Sequence, residues 1–229
     1  MRYLRGFAAM LCPILSVAAA ADSGMPKDDS AEALCTPFVE RDLYPSTVQH
    51  MVNAARQGDL YRVEAKTSSM GFCVDSPIGL IEGEFSNFRG GFTLENEAAG
   101  TTGKVMMLVD TTSLKAPGLV VGKLLAGDGF FDSAAYPEFI FVSTGFYWVN
   151  EKEAVLIGDL TIRDVTRPVG FHVELDAQDA NITDRGQRIK INASTKIRRS
   201  EFGIISLASM ASDDVTLCMQ VEAVRYAAR

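Results

Sequence analysis

From Tyr61 onward, apolar and polar residues alternate with a period of two over many short stretches, which predicts β-strands. The clearest stretch is Gln187 to Ile197. Ile189, Ile191, Ala193, Thr195 and Ile197 share one face, and Arg188, Lys190, Asn192, Ser194 and Lys196 share the other. Val215, Leu217, Met219 and Val221 alternate in the same way with Thr216, Cys218, Gln220 and Glu222. Residues 167–176 repeat the pattern, and weaker versions cover 79–86, 90–95, 104–110, 138–144 and 153–163. One apolar and one wet face, repeated at short spacing, predicts an antiparallel sheet closed on itself or folded over. A closed barrel of about eight strands removes the sheet edges and encloses room for side chains or one small ligand. Two stretches have helical spacing instead. In 46–57, Val48, Met51, Val52 and Ala55 fall on one face, with Ser46 or Thr47 as cap and Gly58 as stop. The other lies near 117–127, around Leu119, Val120, Lys123 and Leu124.

The first 21 residues break both periods. Arg2 and Arg5 precede an apolar run from Gly6 to Val17, and Ala18 to Ala21 follow. Positive start, apolar middle and small-residue end predict a signal peptide over 1–21 and export. Cys12 follows Leu11, where a lipoprotein signal needs a small residue, so it belongs to the apolar run. Residues 22–60 then read as a polar tether ending in the short helix, and 61–229 as the barrel domain. The net charge of −7 becomes −9 once Arg2 and Arg5 are removed, a poor match to nucleic acid. No apolar run approaches the ~20 residues of a membrane span.

Candidate chemistry is sparse. The only histidines are His50 and His172. His172 alternates onto the wet face, His50 lies in the extension helix, and neither is expected to have the Cys or carboxylate neighbours that a metal site requires. The inner faces offer no His, Asp or Glu for acid–base work, and no G-x-S-x-G occurs, so no catalytic residue is assigned. Cys35, Cys73 and Cys218 remain after signal removal; three pairings are open, as is the unpaired state. Asn181-Ile-Thr183 and Asn192-Ala-Ser194 match a glycosylation triplet that arises readily by chance. Gly83, Gly158, Ala193 and Thr195 fall on the inner face. They either leave a cavity or have their gaps plugged by the many phenylalanines, and pattern alone leaves both readings open.

Five blocks in order carry a family resemblance. They are Gly83-Glu84-Phe85-Ser86-Asn87-Phe88-Arg89-Gly90-Gly91-Phe92; Val109 to Leu114; Leu125 with Gly127 to Asp132, Tyr136-Pro137 and Phe141-Val142-Ser143; Gly158 to Val169; and Arg199 to Ile204. Over Tyr61 to about Tyr226 the chain resembles the YceI-like family, exported lipid- or polyisoprenoid-binding proteins. Asp164 stands where that family has Gly in a turn, and Asp tolerates the left-handed conformation. Asp75-Ser76-Pro77 replaces a His-bearing hairpin, and 22–60 lies outside the resemblance.

The resemblance implies an all-β, lipocalin-like, antiparallel closed β-barrel of about eight strands. The helical spacings separately predict one short helix over a barrel end and a helical N-terminal extension. The resemblance also implies an apolar lipid or isoprenoid ligand held in the periplasm: a polyisoprenoid, quinone or fatty-acid derivative, with no other cofactor. The expected contacts are Phe72, Val74, Phe85, Phe92, Val105, Met107, Val109, Phe141, Leu160, Phe171, Ile189, Ile191 and Leu217. Arg199, inward at a strand end, is expected either to meet a headgroup or to pair with Glu201, Asp213 or Asp214. Phe130, Phe131 and Tyr136 are expected to form a lid or to staple the helix onto the barrel. Expected partners are the lipid-like ligand, with no nucleic acid and no stable membrane span; a homodimer is left open. A filled barrel acting as an interaction module, or an enzyme of lipid-like substrates, are the other two readings.

Overall fold

The computed structural model describes Cys35, Phe38 and residues 43–77, 79–94, 103–175 and 188–226. The signal peptide, Cys12, most of the tether, the Asn181 triplet and the predicted strand ends at 95, 176 and 187 lie outside the described residues.

Eleven strand segments form one antiparallel sheet. They are β1 (Leu60–Val63), β2 (Ser69–Ser76), β3 (Gly79–Phe85), β4 (Phe88–Thr93), β5 (Val105–Asp110), β6 (Leu114–Lys115), β7 (Glu138–Trp148), β8 (Glu153–Ile162), β9 (Val165–Leu175), β10 (Arg188–Arg198) and β11 (Asp214–Arg225). Three pairs of segments are long strands with a break: β1 with β2, β3 with β4, and β5 with β6. Counted that way the sheet is a closed barrel of eight strands, because β11 pairs with β10 on one side and with both β1 and β2 on the other. The first and last strands are thus neighbours, with Tyr61 opposite Arg225 and Phe72 opposite Leu217.

Two of the breaks lie side by side and are held by side chains. Asp110 accepts from the Thr112 amide at 2.9 Å and from Asn87 Nδ2 at 2.9 Å, while Ser113 Oγ accepts from the Asn87 amide at 3.0 Å. Asx-type bonding of this kind replaces the ladder where the strands bend.

β7 runs past the expected end at 144 because its register shifts between Ser143 and Gly145. A bulge inserts one residue and reverses the alternation beyond it, so the sequence pattern lapses while the strand continues. The β8–β9 turn is a two-residue hairpin, Ile162 opposite Val165. Its left-handed residue is Arg163 at φ 59°, not Asp164 as expected. The Arg163 guanidinium lies 5.5 Å from the Tyr136 ring centre, which holds the side chain in place.

Helix α1 (Pro45–Gln57) follows the expected period, and Gly58 closes it at φ 73°, its amide donating to Ala54 and Ala55 carbonyls. Neither Ser46 nor Thr47 caps its start; Tyr44 holds the N-cap position and Pro45 opens the first turn. Met51, Val48 and Ala55 pack with Cys35 and Phe38 against Met106, Leu108, Ile140 and Val142, on the outer face of β5 and β7. The extension therefore covers one wall of the barrel from outside. Tyr44 donates to Asp159 at 3.3 Å, and burial followed by the Asp159 charge raises its pKa. Helix α2 (Leu119–Ala126) lies over one barrel end, with Leu125 its buried residue.

Candidate functional site

Inside the barrel lies a cavity of about 360 Å³. That is within the size range of small-ligand sites. Among the described residues, its wall carries polar side-chain atoms only at Thr93, Trp148 and Arg199. It reaches from Val121, Leu124 and Met210 at the α2 end to Leu94, Phe146 and Trp148 at the other. Phe72, Val74, Phe85, Phe92, Val105, Met107, Val109, Phe141, Leu160, Phe171, Ile191 and Leu217 all lie on this wall, as does Arg199. Ile189 does not. It packs with Tyr61, Leu175 and Ala223 in a cluster that fills the barrel at the start of β10, where Tyr61 and Phe92 stack at 5.4 Å.

Two of the small inward residues do not leave space. A side chain at Gly83 would meet the Phe72 ring, and one at Gly158 would meet the Phe141 ring. Phenylalanines plug both gaps, so the cavity arises between rings rather than over the glycines. Ala193 does face the cavity. Phe131 joins Phe72, Phe85 and Phe139 in a cluster with ring centres 5.3 to 6.0 Å apart. Phe130 is buried in the same core. Both rings staple the α2 connector onto the barrel, while Tyr136 stacks outside under Arg163.

Arg199 is buried and points into the barrel end, and its guanidinium bonds to backbone rather than to Glu201, Asp213 or Asp214. It donates to four backbone carbonyls: Ser212 at 2.9 Å, Ile204 at 2.9 Å, Ser206 at 2.7 Å and Ala211 at 3.2 Å. The planar fork of five donors suits this task, and the charge is held by carbonyl dipoles. Arg198 takes Glu201 instead, and Asp213 binds Ser200 through its amide and hydroxyl, which lowers the Asp213 pKa. The expected pairing of Arg199 with Glu201, Asp213 or Asp214 is therefore corrected. The structure makes Arg199 the pin of the 204–212 loop, whose Leu207 and Met210 line the cavity mouth.

The whole barrel matches a family model described as a YceI-like domain over residues 61–223. The chain belongs to the YceI-like family. A UPF0312 protein of Pseudomonas putida strain W619 is 31% identical over 170 residues, covering 74% of this chain and 84% of its own length. Among solved structures, BcnA of Burkholderia cenocepacia superposes with a TM-score of 0.60 at 21% identity, covering 70% of this chain and 98% of its own. A polyisoprenoid-binding domain from Saccharophagus degradans, implicated in plant cell wall breakdown, superposes with a TM-score of 0.54 at 15% identity, covering 72% and 98%. Both share the fold.

Outside the cavity, this YceI-like barrel carries polar groups that its sequence pattern did not bring together. His172 lies 3.1 Å from Glu174, and Glu153 joins them within 4.8 Å on the outer face of β8 and β9. The expectation that His172 lacks carboxylate neighbours is corrected: Glu153 stands opposite Glu174 in the ladder, a pairing visible only once the strands are aligned. Cys73 and Cys218 are free thiols, so none of the three pairings among Cys35, Cys73 and Cys218 is present. Their strands are adjacent, but Cys73 faces Thr216 and Cys218 faces Gly71, one diagonal step off register. Cys35, itself part of the extension, is buried against β5 and β7. Burial, then the Cys73 and Glu82 charges, raises the Cys218 pKa. His50 Nε2 lies 3.4 Å from Thr93 Oγ1, so it packs the extension helix against β4.

Proposed function

We propose that this YceI-like protein binds a long apolar chain inside its barrel and carries it in the periplasm, as a binding protein rather than an enzyme. The ligand class is a polyisoprenoid, a quinone tail or a fatty-acid derivative. The observation that carries the reading is the apolar cavity of about 360 Å³ inside the barrel, whose wall extends to the α2 end. Each methylene moved from water into such a wall gains about 0.8 kcal/mol, so ten of them supply roughly 8 kcal/mol before ordering costs. Micromolar affinity needs about 8 kcal/mol net, so methylenes beyond those ten must offset the ordering costs, which favours a long chain over a short one. The polyisoprenoid-binding description of the Saccharophagus domain supports the ligand class. The N-terminal arrangement of Arg2, Arg5, the apolar run and Ala18 to Ala21 supports export.

The test is native mass spectrometry of the freshly purified protein, before and after organic extraction. The expected spectrum shows a lipid-sized adduct that extraction removes and that re-adding the extract restores. A bare mass throughout, with no uptake of added isoprenoid or fatty acid, would refute the reading. Cell fractionation tests the compartment: recovery in the periplasmic fraction with residues 1–21 removed is the expected result.

A further inference from the structure

We infer that the α2 end of the barrel seats on the surface of a zwitterionic lipid bilayer. The contacting side chains are Leu119, Val120, Leu124, Ile205, Leu207 and Met210. The inference rests on the apolar-ligand reading above and assigns the place where that ligand is exchanged.

Three observations carry it. The first is exposure that packing does not explain. Helix α2 is built mostly of apolar residues, yet only Leu125 is buried, while Leu119 is 86% and Val120 81% exposed. A helix covering a barrel in water normally turns its apolar face inward. Beside it, Ile205 is 70% and Met210 52% exposed. The two segments are neighbours: a side chain at Gly129, on the α2 connector, would touch Ser206. Leu80, on the adjoining β2–β3 hairpin, is also exposed, and that hairpin is tied to the loop by the Ser212 amide donating to the Asp75 carbonyl at 2.8 Å. An apolar patch gathered from three segments marks an interaction surface rather than scattered exposure.

The second is that the loop is held in this pose. Arg199 fixes the Ile204, Ser206, Ala211 and Ser212 carbonyls. Leu207 adopts φ 52°, a left-handed conformation unfavourable for a leucine. Amides of Met210 and Ala211 both donate to the Leu207 carbonyl.

The third decides between a bilayer and other occupants. Leu124, Leu207 and Met210 are at once exposed on this patch and part of the cavity wall. The patch is therefore the outer lip of the cavity, one continuous apolar surface from barrel to solvent. A second protein covering the lip would stopper the cavity. A bilayer covering it lets an apolar chain pass without crossing water. The charge agrees: residues 204–210 carry no charged side chain, and Lys123 is the only one in α2. The net charge of −7 disfavours an anionic surface.

The test compares the wild type with Val120→Asp/Ile205→Asp, neither of which lines the cavity. Cosedimentation with phosphatidylcholine vesicles reads docking, and uptake of the apolar fluorophore N-phenyl-1-naphthylamine reads the cavity and the fold. The expected result is vesicle binding by the wild type that is insensitive to salt. The double variant weakens it at least tenfold while fluorophore affinity stays within twofold. Fluorophore uptake without vesicle binding by the wild type overturns the docking and leaves the ligand reading intact. Vesicle binding unchanged in the double variant also overturns it. A dimer in sedimentation equilibrium that the double variant dissociates assigns the patch to a second copy and overturns it. Vesicle binding lost in the variant, with no fluorophore uptake by the wild type, supports the docking and refutes the ligand reading.

Discussion

Replacing Arg199 with methionine keeps most of its volume and removes all its donors. Four hydrogen bonds are lost, of which the one to the Ile204 carbonyl is buried and the other three are part-buried. Leaving a buried acceptor unpaired costs about 1–3 kcal/mol, and the partly wet carbonyls recover water at about 0.5–1 kcal/mol each. The expected loss is therefore about 3–5 kcal/mol, the range found for removing one partner of a buried charged contact. For a chain of this size each kcal/mol moves the midpoint by about 2–4 °C, so melting should fall by roughly 10 °C. Arg199→Lys keeps the charge, but a single ammonium cannot reach four carbonyls arranged around a fork, so it should restore less than half of the loss. Urea unfolding measures the energy. Hydrogen exchange localises it: the amides of Met210, Ala211 and Ser212, which bond to Leu207 and Asp75 carbonyls, should lose protection before the strands do. A methionine variant within 1 kcal/mol of wild type would refute the reasoning. So would one that keeps its stability but loses ligand, because that is the behaviour of a headgroup partner.

Gly158→Ala places a methyl against the Phe141 ring and 2.6 Å from the Val142 carbonyl oxygen. The ring can swing into the cavity but the carbonyl cannot move, so thermal denaturation should show a loss of about 1–3 kcal/mol that adding Phe141→Leu only partly relieves. Met51→Ala, at a fully buried position between α1 and the outer wall, should cost about 2–5 kcal/mol in urea unfolding and increase binding of a hydrophobic dye to Met106, Leu108, Ile140 and Val142. Asp213 has a folded pKa below its ordinary value because Ser200 donates to it twice. Its stabilising effect is present above the unfolded carboxylate value and disappears as pH falls through the lower folded value. The stability difference between wild type and Asp213→Asn should accordingly shrink below about pH 4 in denaturation curves taken across pH.

Strands with one wet face were legible because their side chains alternate and their neighbours do not alter the pattern. β10 and β11 are of this kind. β5 was read only in part. Val105, Met107 and Val109 were assigned inward, but Met106 and Leu108 are just as buried, because α1 lies on their side. The run Val-Met-Met-Leu-Val was itself the signal, since an uninterrupted apolar strand is one covered on both faces. The cavity wall was legible for the same reason as the strands, one face per strand, and Ile189 missed it only because its end of the barrel is filled. The mouth was not legible. Leu207 and Met210 follow no period, and their placement depends on four carbonyls that share a partner thirteen or fewer residues away in sequence and one strand end in space. Arg199 carries no mark in sequence that separates a loop pin from a headgroup partner.

β11 is bonded to β10 along one edge and to both β1 and β2 along the other, and Tyr61 meets Arg225 across almost the entire domain. Every other seam of the barrel joins segments nearer in sequence. Closing this one costs the most chain entropy and belongs to the end of folding. A ribosome that has released everything up to Ser212 has made a curled sheet with bare edges on β10 and on β1 with β2, and no enclosed interior. Such an intermediate is a template for pairing with other chains. A nonsense mutation near the C-terminus would therefore yield an aggregating fragment rather than a shortened barrel.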